Sequence, residues 1–420
     1  MELSNGSDRL NPVHARSGWP PVVVAGASQT GVCLMRDFSR RGVSASCFDC
    51  MPAFVGFKSF YGKAHLCPNP DNHPAEWLDF MIRLARKTGG RPVLISSADQ
   101  FITAIAQHAA ALQEYFIFPA ASIATQDLLA TKKRQYDIAD SNGLGVPRTR
   151  FVRSWAELRE FAEGARFPCL LKPVHFREWT RFPTTHPLYD QKVAVARDLG
   201  ELEAKYRLAE EVTSELVVQE IVEGPDSAKL VYLSCYSQRG ERLAACVLRQ
   251  LRTYPIYFGS ASIVAPVDDP ETDRLCDNFL RRIGYRGICE IELKRDSRTN
   301  EVKMIEANPR YSVTADAAPY LGLHIGWLHY LDLIGEPVAP VVAAKTDLHH
   351  IVLQRDFACY RSYLEAGLWT WKSLLASYRP PVAFYDFDPL DWRVTYLTCV
   401  NLFKILGLPL YRRWFKRNAA

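Results

Sequence analysis

The sequence predicts an α/β fold at its N-terminal end that changes to an α+β arrangement farther along the chain. Near the N-terminus, buried-strand and helix patterns alternate around glycine turns, which is typical of doubly wound parallel sheets. After about residue 121, short strands follow one another, and a hairpin pattern over 287–308 predicts antiparallel pairing. The 420 residues are enough for about two to three domains of ~150 residues each.

Composition and charge narrow the class of protein. Apolar residues make up 48% of the chain, which allows a sizeable core, and the net charge of +5 gives no reason to expect a nucleic-acid partner. The polar leader at 1–19 predicts disorder and no signal peptide. No run of eighteen apolar residues predicts a membrane-spanning helix.

The eleven cysteines are scattered along the chain, with one close pair, Cys47 and Cys50. A lone CxxC is compatible with redox chemistry or with half of a zinc site, but no second pair or histidine-rich partner follows it. We therefore expect reduced thiols and a cytoplasmic protein.

The segment 20–120 carries the α/β pattern. "VVVAGASQTG" reads as a buried strand and a glycine turn that leads into a helix, and "VSASCFDC" reads as the next strand. "RPVLISSADQ" repeats the theme and ends near Asp99, where ligands of such sheets bind. Gly26 and Gly31 do not form GxGxxG, so a dinucleotide fingerprint is absent. A tight structural turn and a loop that contacts a small substrate both remain open for 26–31.

The middle of the chain reads as α+β. A helix is expected from about 121 to a glycine-rich turn, followed by strands in "PCLLKPV" and "ELVVQEIVEGPD". Two more strands meet at Arg239 and Gly240, a helix spans 273–283, and the hairpin follows. Beyond residue 340 the chain becomes rich in aromatic residues.

The hairpin places polar side chains in an apolar setting. Glu306 and Asn308 are two residues apart on one strand, so they share a face. Glu292 lies on the other arm, and a turn at 296–300 would bring the arms side by side. A buried carboxylate is costly unless it meets a cation, and Mg²⁺ binds carboxylate oxygens together with phosphates. The three side chains are therefore candidate metal ligands.

Cationic side chains accompany these ligands. Lys172 lies inside an apolar strand, where it needs an anion, and Arg310 follows the hairpin with a planar donor fork suited to phosphate. Arg249 and Arg252 offer further donors. A triphosphate with magnesium would satisfy the whole set. For each residue taken alone, a structural ion pair is the favoured interpretation, and only the whole set favours the triphosphate.

The order and spacing of these segments resemble the ATP-grasp superfamily over residues 22–335. The resemblance implies an ATP-grasp fold preceded by a Rossmann-like α/β domain. The implied organisation is a leader at 1–19, the α/β domain at 20–120, the ATP-grasp domain in two subdomains at 121–340, and a C-terminal extension at 341–420.

The resemblance also implies roles for individual residues. "LLATKKRQYDIADSNGLGVPRT" resembles the segment that carries an ATP-binding lysine, here Lys132 with Lys133 as the alternative, although Thr131 stands where the family has aspartate. The remaining implied roles are phosphate binding by Lys172, adenine binding by the hinge Glu220, Ile221 and Val222, ribose binding by Asp226, metal binding by Glu292, Glu306 and Asn308, and a place near the transferred phosphoryl group for Arg310. From their charge, we also expect Arg249 to bind the nucleotide, and Arg252 to stabilise the phosphoryl and tetrahedral charges together with Arg310.

Within the superfamily, "LKPVHFREWTRF" and "QEIVEGPDSAKLVYLSCYSQRG" are similar to carboxylate–amine ligases of the D-aspartate ligase type and to the ATP-binding domain of the carbamoyl-phosphate synthetase large subunit. The resemblance implies ATP and Mg²⁺ as cofactors, with Mn²⁺ as an alternative metal. It also implies a small carboxylate and an amine as substrates, an acyl-phosphate intermediate, and a homodimer as one assembly.

Three other functions are weighed against this one. Carboxylate kinase chemistry of the carbamoyl-phosphate synthetase kind would use the same residues. A nucleotide-binding regulatory module without catalysis would not need Lys172 together with the complete set of metal ligands. An NAD-dependent oxidoreductase is disfavoured by the missing GxGxxG.

The C-terminal tail "VNLFKILGLPLYRRWFKRN" mixes apolar residues with Lys404 and four later basic residues, a combination typical of segments that lie on membrane surfaces. Pro409 is expected to break the helix, and aromatic residues at such spacing more often pack on their own domain. The sequence therefore favours packing, with peripheral membrane contact as the alternative.

Overall fold

The computed structural model describes residues 18–418 except 131, 175, 190 and 214, and it leaves out the side chains of 121, 132, 133, 176, 177 and 406–418. Residues 1–17 of the predicted leader and the side chains of both candidate ATP-binding lysines, Lys132 and Lys133, therefore lie outside the described residues.

The N-terminal part is a four-stranded parallel sheet in which the third and fourth strands form the edges. Its elements are β1 (Val22–Ala25), α1 (Gln29–Arg40), β2 (Ala45–Asp49), β3 (Lys63–Leu66), α2 (Pro74–Thr88), β4 (Val93–Ser96), α3 (Asp99–Gln107) and α4 (Ala109–Leu112). Successive β1 side chains enter two separate apolar cores, Val22 and Val24 on the α1 side, and Val23 and Ala25 on the α2 and α3 side. The predicted doubly wound start is confirmed.

A smaller antiparallel sheet follows, in the order β5–β8–β6–β7. Its elements are α5 (Ile123–Ala130), α6 (Lys132–Ser141), β5 (Thr149–Val152), α7 (Trp155–Ala162), β6 (Cys169–Pro173), β7 (Ala194–Ala196), α8 (Leu199–Glu210) and β8 (Leu216–Glu220). Ser154 and Asp198 start α7 and α8, because each side chain accepts a hydrogen bond from the backbone three residues ahead. The single helix expected from 121 is two helices.

The third sheet has eight strands, in the order β13–β12–β9–β10–β11–β15–β16, with β14 paired to β10. Its elements are β9 (Lys229–Tyr236), β10 (Arg242–Tyr254), β11 (Ser260–Pro266), α9 (Pro270–Arg282), β12 (Gly287–Arg295), β13 (Val302–Asn308), α10 (Ile325–Leu333), β14 (Val341–Val342), β15 (His349–Ile351), α11 (Leu353–Glu365), α12 (Trp371–Ala376), β16 (Val382–Phe384) and α13 (Trp392–Asn418). Gly240 turns the chain between β9 and β10 at a φ of +84°, as the sequence predicts for this turn.

The C-terminal extension is part of this large sheet. Its strand β15 pairs with β11, and β16 pairs with β15. The predicted boundary at 341 therefore does not coincide with an edge of the sheet.

The last helix, α13, spans Trp392–Asn418, so the expectation that Pro409 breaks it is wrong. A proline inside a helix removes one backbone hydrogen bond, and neighbouring turns can still continue the helix. In the described part of the chain, no helix is both long enough and apolar enough to cross a membrane.

Candidate nucleotide-binding site

A cleft lies between the small sheet and the large sheet. It holds about 1060 Å³ of empty space, part of it open to solvent. The small sheet contributes side chains of β6 and β8, and the large sheet contributes side chains of β9, β12 and β13. These are Lys172, Gln219, Glu220, Lys229, Glu292, Lys294 and Glu306. Two separate sheets thus line one cleft that has both charged and apolar side chains.

The hairpin β12–β13 brings the predicted metal ligands together. Glu292 pairs directly with Glu306, and Glu290 pairs with Asn308. Directly paired residues of antiparallel strands, and residues two further along, point to the same face of a sheet. The convergence expected from strand alternation is therefore confirmed, while the role of these side chains as metal ligands stays a prediction.

Glu292 and Glu306 place two carboxylates opposite each other on the hairpin. Burial, and then the carboxylates of Glu290 and Glu306, raise the pKa of Glu292 to about 7. Like charges held this closely fit a cation between them. Within the described residues, no three histidine, cysteine, aspartate or glutamate side chains are grouped as a metal site. A site built from two carboxylates and an amide has a different composition.

Glu290 is a buried part of this hairpin that the sequence reasoning missed. Its carboxylate accepts hydrogen bonds from Asn308 Nδ2 at 3.0 Å and from Ser312 Oγ at 2.5 Å, and Thr314 Oγ1 donates to it as well. Glu290 therefore fixes the orientation of the Asn308 amide. Its position two residues before Glu292 was the available signal, because the same alternation places both on one face.

Four lysines line the cleft, and three of them were not predicted. Lys172 lies on β6 as expected, and it is joined by Lys192, Lys229 and Lys294. Burial, followed by the charge of Lys229, lowers the pKa of Lys294 to about 8. This density of cationic groups suits a polyphosphate.

The predicted adenine hinge lines the same cleft through Glu220, Ile221 and Val222. The Glu220 amide donates to the Arg148 carbonyl at 2.9 Å, and the Ile221 amide donates to the Pro168 carbonyl at 3.2 Å. The Val222 amide has no such partner among the described residues, although Val222 is only 5% exposed. One buried backbone donor is thus left for a ligand.

Asp226 does not line the cleft. It forms an ion pair with Lys229 at 3.0 Å and accepts hydrogen bonds from the Tyr363 hydroxyl at 2.6 Å and the Tyr257 amide at 3.0 Å. Burial alone would raise its pKa, but Lys229 and these hydrogen bonds lower it below its ordinary value. In this arrangement Asp226 holds Lys229 rather than facing a ribose.

The two arginines of β10 lie away from the cleft lining. Arg249 is exposed, although its backbone pairs with both neighbouring strands. Arg252 is fully buried and forms a bidentate pair with Asp356, with oxygen–nitrogen distances of 2.6 and 2.8 Å. Irregular pairing with β11 on both sides of Arg252 accompanies this orientation toward α11. The position does not suit the catalytic role predicted for Arg252.

Arg310 links the hairpin to the N-terminal sheet. Its guanidinium donates to both oxygens of Asp99, at 2.6 and 2.9 Å, and to Asn308 Oδ1 at 3.1 Å. Asp99 is the first residue of α3 and keeps 49% of its side chain exposed. The pair is therefore accessible to an anionic ligand.

The loop 26–31 is mainly a structural turn. A Cβ at Gly31 would come within 2.0 Å of the Gly26 carbonyl, so only glycine fits there. The Tyr385 hydroxyl lies 2.7 Å from Thr30 Oγ1, so the C-terminal extension covers the start of α1. Of the residues predicted to contact the substrate in this region, Asp99 stays a candidate because it is partly exposed.

No family model matches the chain. It is 25% identical over 272 residues to the D-aspartate ligase of Enterococcus faecium, an alignment that covers 61% of this chain and 63% of that enzyme. The chain thus spans less than two thirds of the length of the curated relative that it matches.

Solved structures share the architecture at low sequence identity. N5-carboxyaminoimidazole synthetase from Staphylococcus aureus, complexed with ADP, superposes with a TM-score of 0.62 at 14% identity, covering 86% of this chain and 89% of that one. The biotin carboxylase domain of Hydrogenobacter thermophilus 2-oxoglutarate carboxylase, in complex with MgADP, gives 0.59 at 13% identity and covers 79% and 73%. The predicted fold is confirmed: the chain has the ATP-grasp fold and resembles carboxylate–amine ligases of the D-aspartate ligase type.

Proposed function

We propose that the protein is an ATP-dependent carboxylate–amine ligase that works through an acyl phosphate. The observation that carries the proposal is the direct pairing of Glu292 with Glu306 in a cleft lined by four lysines. Two facing carboxylates suit a metal ion, and the lysines suit the phosphates that such a metal accompanies. The sequence similarity to D-aspartate ligase supports the same reaction class.

The nucleotide would lie along the cleft with its base at the hinge. The Val222 amide would donate to the adenine ring, and Ile221 and Leu170 would contact its faces. Lys172 would meet the phosphates from the small sheet, while Lys229 and Lys294 would approach them from the large sheet. Binding between two sheets would hold the triphosphate in one orientation, which is the main requirement of phosphoryl transfer.

The metal would be held by Glu292, Glu306 and Asn308. The residues fit Mg²⁺ because all three offer oxygen ligands, and because Glu292 and Glu306 are directly paired on the hairpin. When bound, the metal would neutralise charge on the β- and γ-phosphate oxygens. Glu290 would keep the Asn308 carboxamide oriented by accepting from its nitrogen.

The proposed reaction has two steps. A carboxylate oxygen of the acid attacks the γ-phosphorus, the bond to the bridging oxygen breaks, and ADP leaves. The amine nitrogen then attacks the acyl carbon, the carbon–oxygen bond to phosphate breaks, and the amine loses one proton as the amide forms. Arg310 donates to Asn308 at the end of the hairpin, and it would stabilise the anionic oxygens in both steps.

Trapping the intermediate with hydroxylamine tests the proposal. The protein would be incubated with MgATP and a panel of amino acids and small carboxylic acids, with hydroxylamine as the amine, and hydroxamate and ADP would be measured. We expect one acid to give equal amounts of both products. Glu306→Gln should abolish both, and Glu301→Gln, an exposed position on the same hairpin, should leave them unchanged.

Other outcomes would contradict the proposal. Nucleotide binding at the cleft without ADP release, for every acid in the panel, would support the noncatalytic regulatory module instead. Turnover by Glu306→Gln at the wild-type rate would remove the metal assignment. Transfer of ¹⁸O from the labelled acid to phosphate is a second readout, since only an acyl phosphate moves that oxygen.

A further inference from the structure

Exposed apolar side chains are concentrated at the C-terminal end of the fold. In the described part of the chain, half of the large apolar residues that are exposed lie between Leu368 and Phe403. Three of them are on α13: Trp392 is 60% exposed, Tyr396 62% and Phe403 76%. We call these three residues the aromatic face.

The aromatic face is one side of a helix whose other side is packed. Trp392, Tyr396 and Phe403 are spaced by four and seven residues, which aligns them on an α-helix. Val394 and Thr398 point the opposite way and are 1% and 2% exposed. This packed side contacts α11 and the turn Val55–Lys58. The domain therefore holds the first turns of α13 in place. It leaves most of the aromatic face exposed, although the Trp392 ring lies 5.8 Å from the Phe60 ring.

All charged side chains of this segment are positive. Residues 392–420 contain six basic residues and no acidic residue, so the rest of the chain carries a net charge of −1. Arg393 and Lys404 are exposed, and the Arg393 guanidinium lies 4.3 Å from the centre of the Phe60 ring. Arg412, Arg413, Lys416 and Arg417 continue the basic sequence, and their side chains lie outside the described residues.

We propose that the aromatic face lies on an anionic phospholipid surface. Exposed tryptophan and tyrosine beside basic residues match the two requirements of interfacial binding, an apolar body and attraction to anionic headgroups. A second copy of the chain is the weaker occupant, because it would bring two segments of charge +6 together. The sequence favoured packing of this segment on its own domain, and the structure assigns that packing only to the side that carries Val394 and Thr398.

Vesicle flotation of the full chain tests the proposal. Vesicles of phosphatidylcholine alone would be compared with vesicles that also contain phosphatidylserine. We expect binding only to the anionic vesicles, and its loss in 1 M salt, where the screening length falls to about 3 Å. Lys404→Gln should weaken binding about fivefold, the effect of one basic residue near an anionic surface. Lys345→Gln, an exposed lysine elsewhere, is the control.

The apolar contribution needs its own variants. Replacing Trp392, Tyr396 and Phe403 together by serine should weaken binding by about tenfold or more, because apolar burial is lost. Serine at Leu66, Leu199 and Val342, which are 57%, 42% and 90% exposed, should not change it. ADP binding by each variant shows that the fold is intact and is independent of the proposed ligase activity.

Three results would overturn the proposal. They are no binding to anionic vesicles, equal binding by the aromatic variant, and a dimer in light scattering without lipid that the aromatic variant converts to a monomer. The last result would assign the face to a second copy of the chain.

Discussion

The pKa of Glu292 makes nucleotide binding depend on pH in a way that can be measured. A group with a pKa of about 7 is about 90% protonated at pH 6 and about 10% protonated at pH 8. The metal ion that we propose for this site would bind the ionised carboxylate, so the proton would compete with it. The apparent affinity for MgADP should therefore rise about tenfold between pH 6 and pH 8, and it should level off above that range.

The sign follows from the direction of the shift. Because burial and two neighbouring carboxylates raise the pKa above its ordinary value near 4.5, the protonated form is favoured in the nucleotide-free protein. The corresponding stability is present below about pH 4.5 and is lost as the pH rises through about 7. The proposed metal would offset this loss, so the stabilisation by MgADP should grow over the same range.

Isothermal titration calorimetry at pH 6, 7 and 8 checks the prediction. Glu292→Gln removes the titrating group, so its MgADP affinity should lack the roughly tenfold rise that Glu292 gives the wild type between pH 6 and pH 8. Titration of the nucleotide itself contributes equally to both proteins. Glu301→Gln is the matched control and should keep the wild-type dependence. Equal pH dependence in Glu292→Gln and wild type would refute the reasoning.

Three further changes have defined outcomes. Lys172→Ala should weaken binding of a non-hydrolysable ATP analogue by about tenfold in calorimetry, because it removes a cleft cation that we propose to contact the phosphates. Unchanged affinity would return this lysine to a structural role. Asp99→Asn should lower the KM of the acid substrate by about fivefold, because it frees Arg310 from a partly exposed ion pair, whereas a fall in kcat alone would mean that Asp99 positions Arg310. Arg252→Met should destabilise the protein by about 3–5 kcal/mol in thermal or chemical unfolding, because it leaves Asp356 as an uncompensated buried charge. A stable Arg252→Met protein that lacks turnover would instead restore the catalytic role predicted for it.

Strand alternation accounts for what the sequence could predict of the site. Glu306 and Asn308 share a face of their strand because they are two residues apart. The length of the turn then predicts that Glu292 lies beside them on the paired strand. Lys192, Lys229 and Lys294 were missed because they come from three separate segments, and only the closure of the two sheets brings them together. Local pattern carries no information on that closure.

Arg252 is a residue that the sequence wrongly suggested for the site. Its charge and its place near Arg249 suggested contact with phosphate. The sequence around Arg252 does not predict an ion pair with Asp356, which lies 104 residues later in the chain. The same holds for Asp226, whose partner Tyr363 belongs to α11. In both cases the side chain that fixes the orientation of the residue belongs to the C-terminal extension. The sequence of β10 does not predict that the extension pairs with β11.

The pairing of β15 with β11 also limits where this protein can be cut or recombined. A chain that ended at residue 340 would expose the backbone edge of β11, and such edges promote aggregation. It would also leave the buried guanidinium of Arg252 without the carboxylate of Asp356. It would also remove the Tyr363 hydroxyl from Asp226, the residue that holds Lys229 in the cleft. The C-terminal segment is therefore not an interchangeable module, and a chimera that exchanges the catalytic domain would have to carry the segment with it.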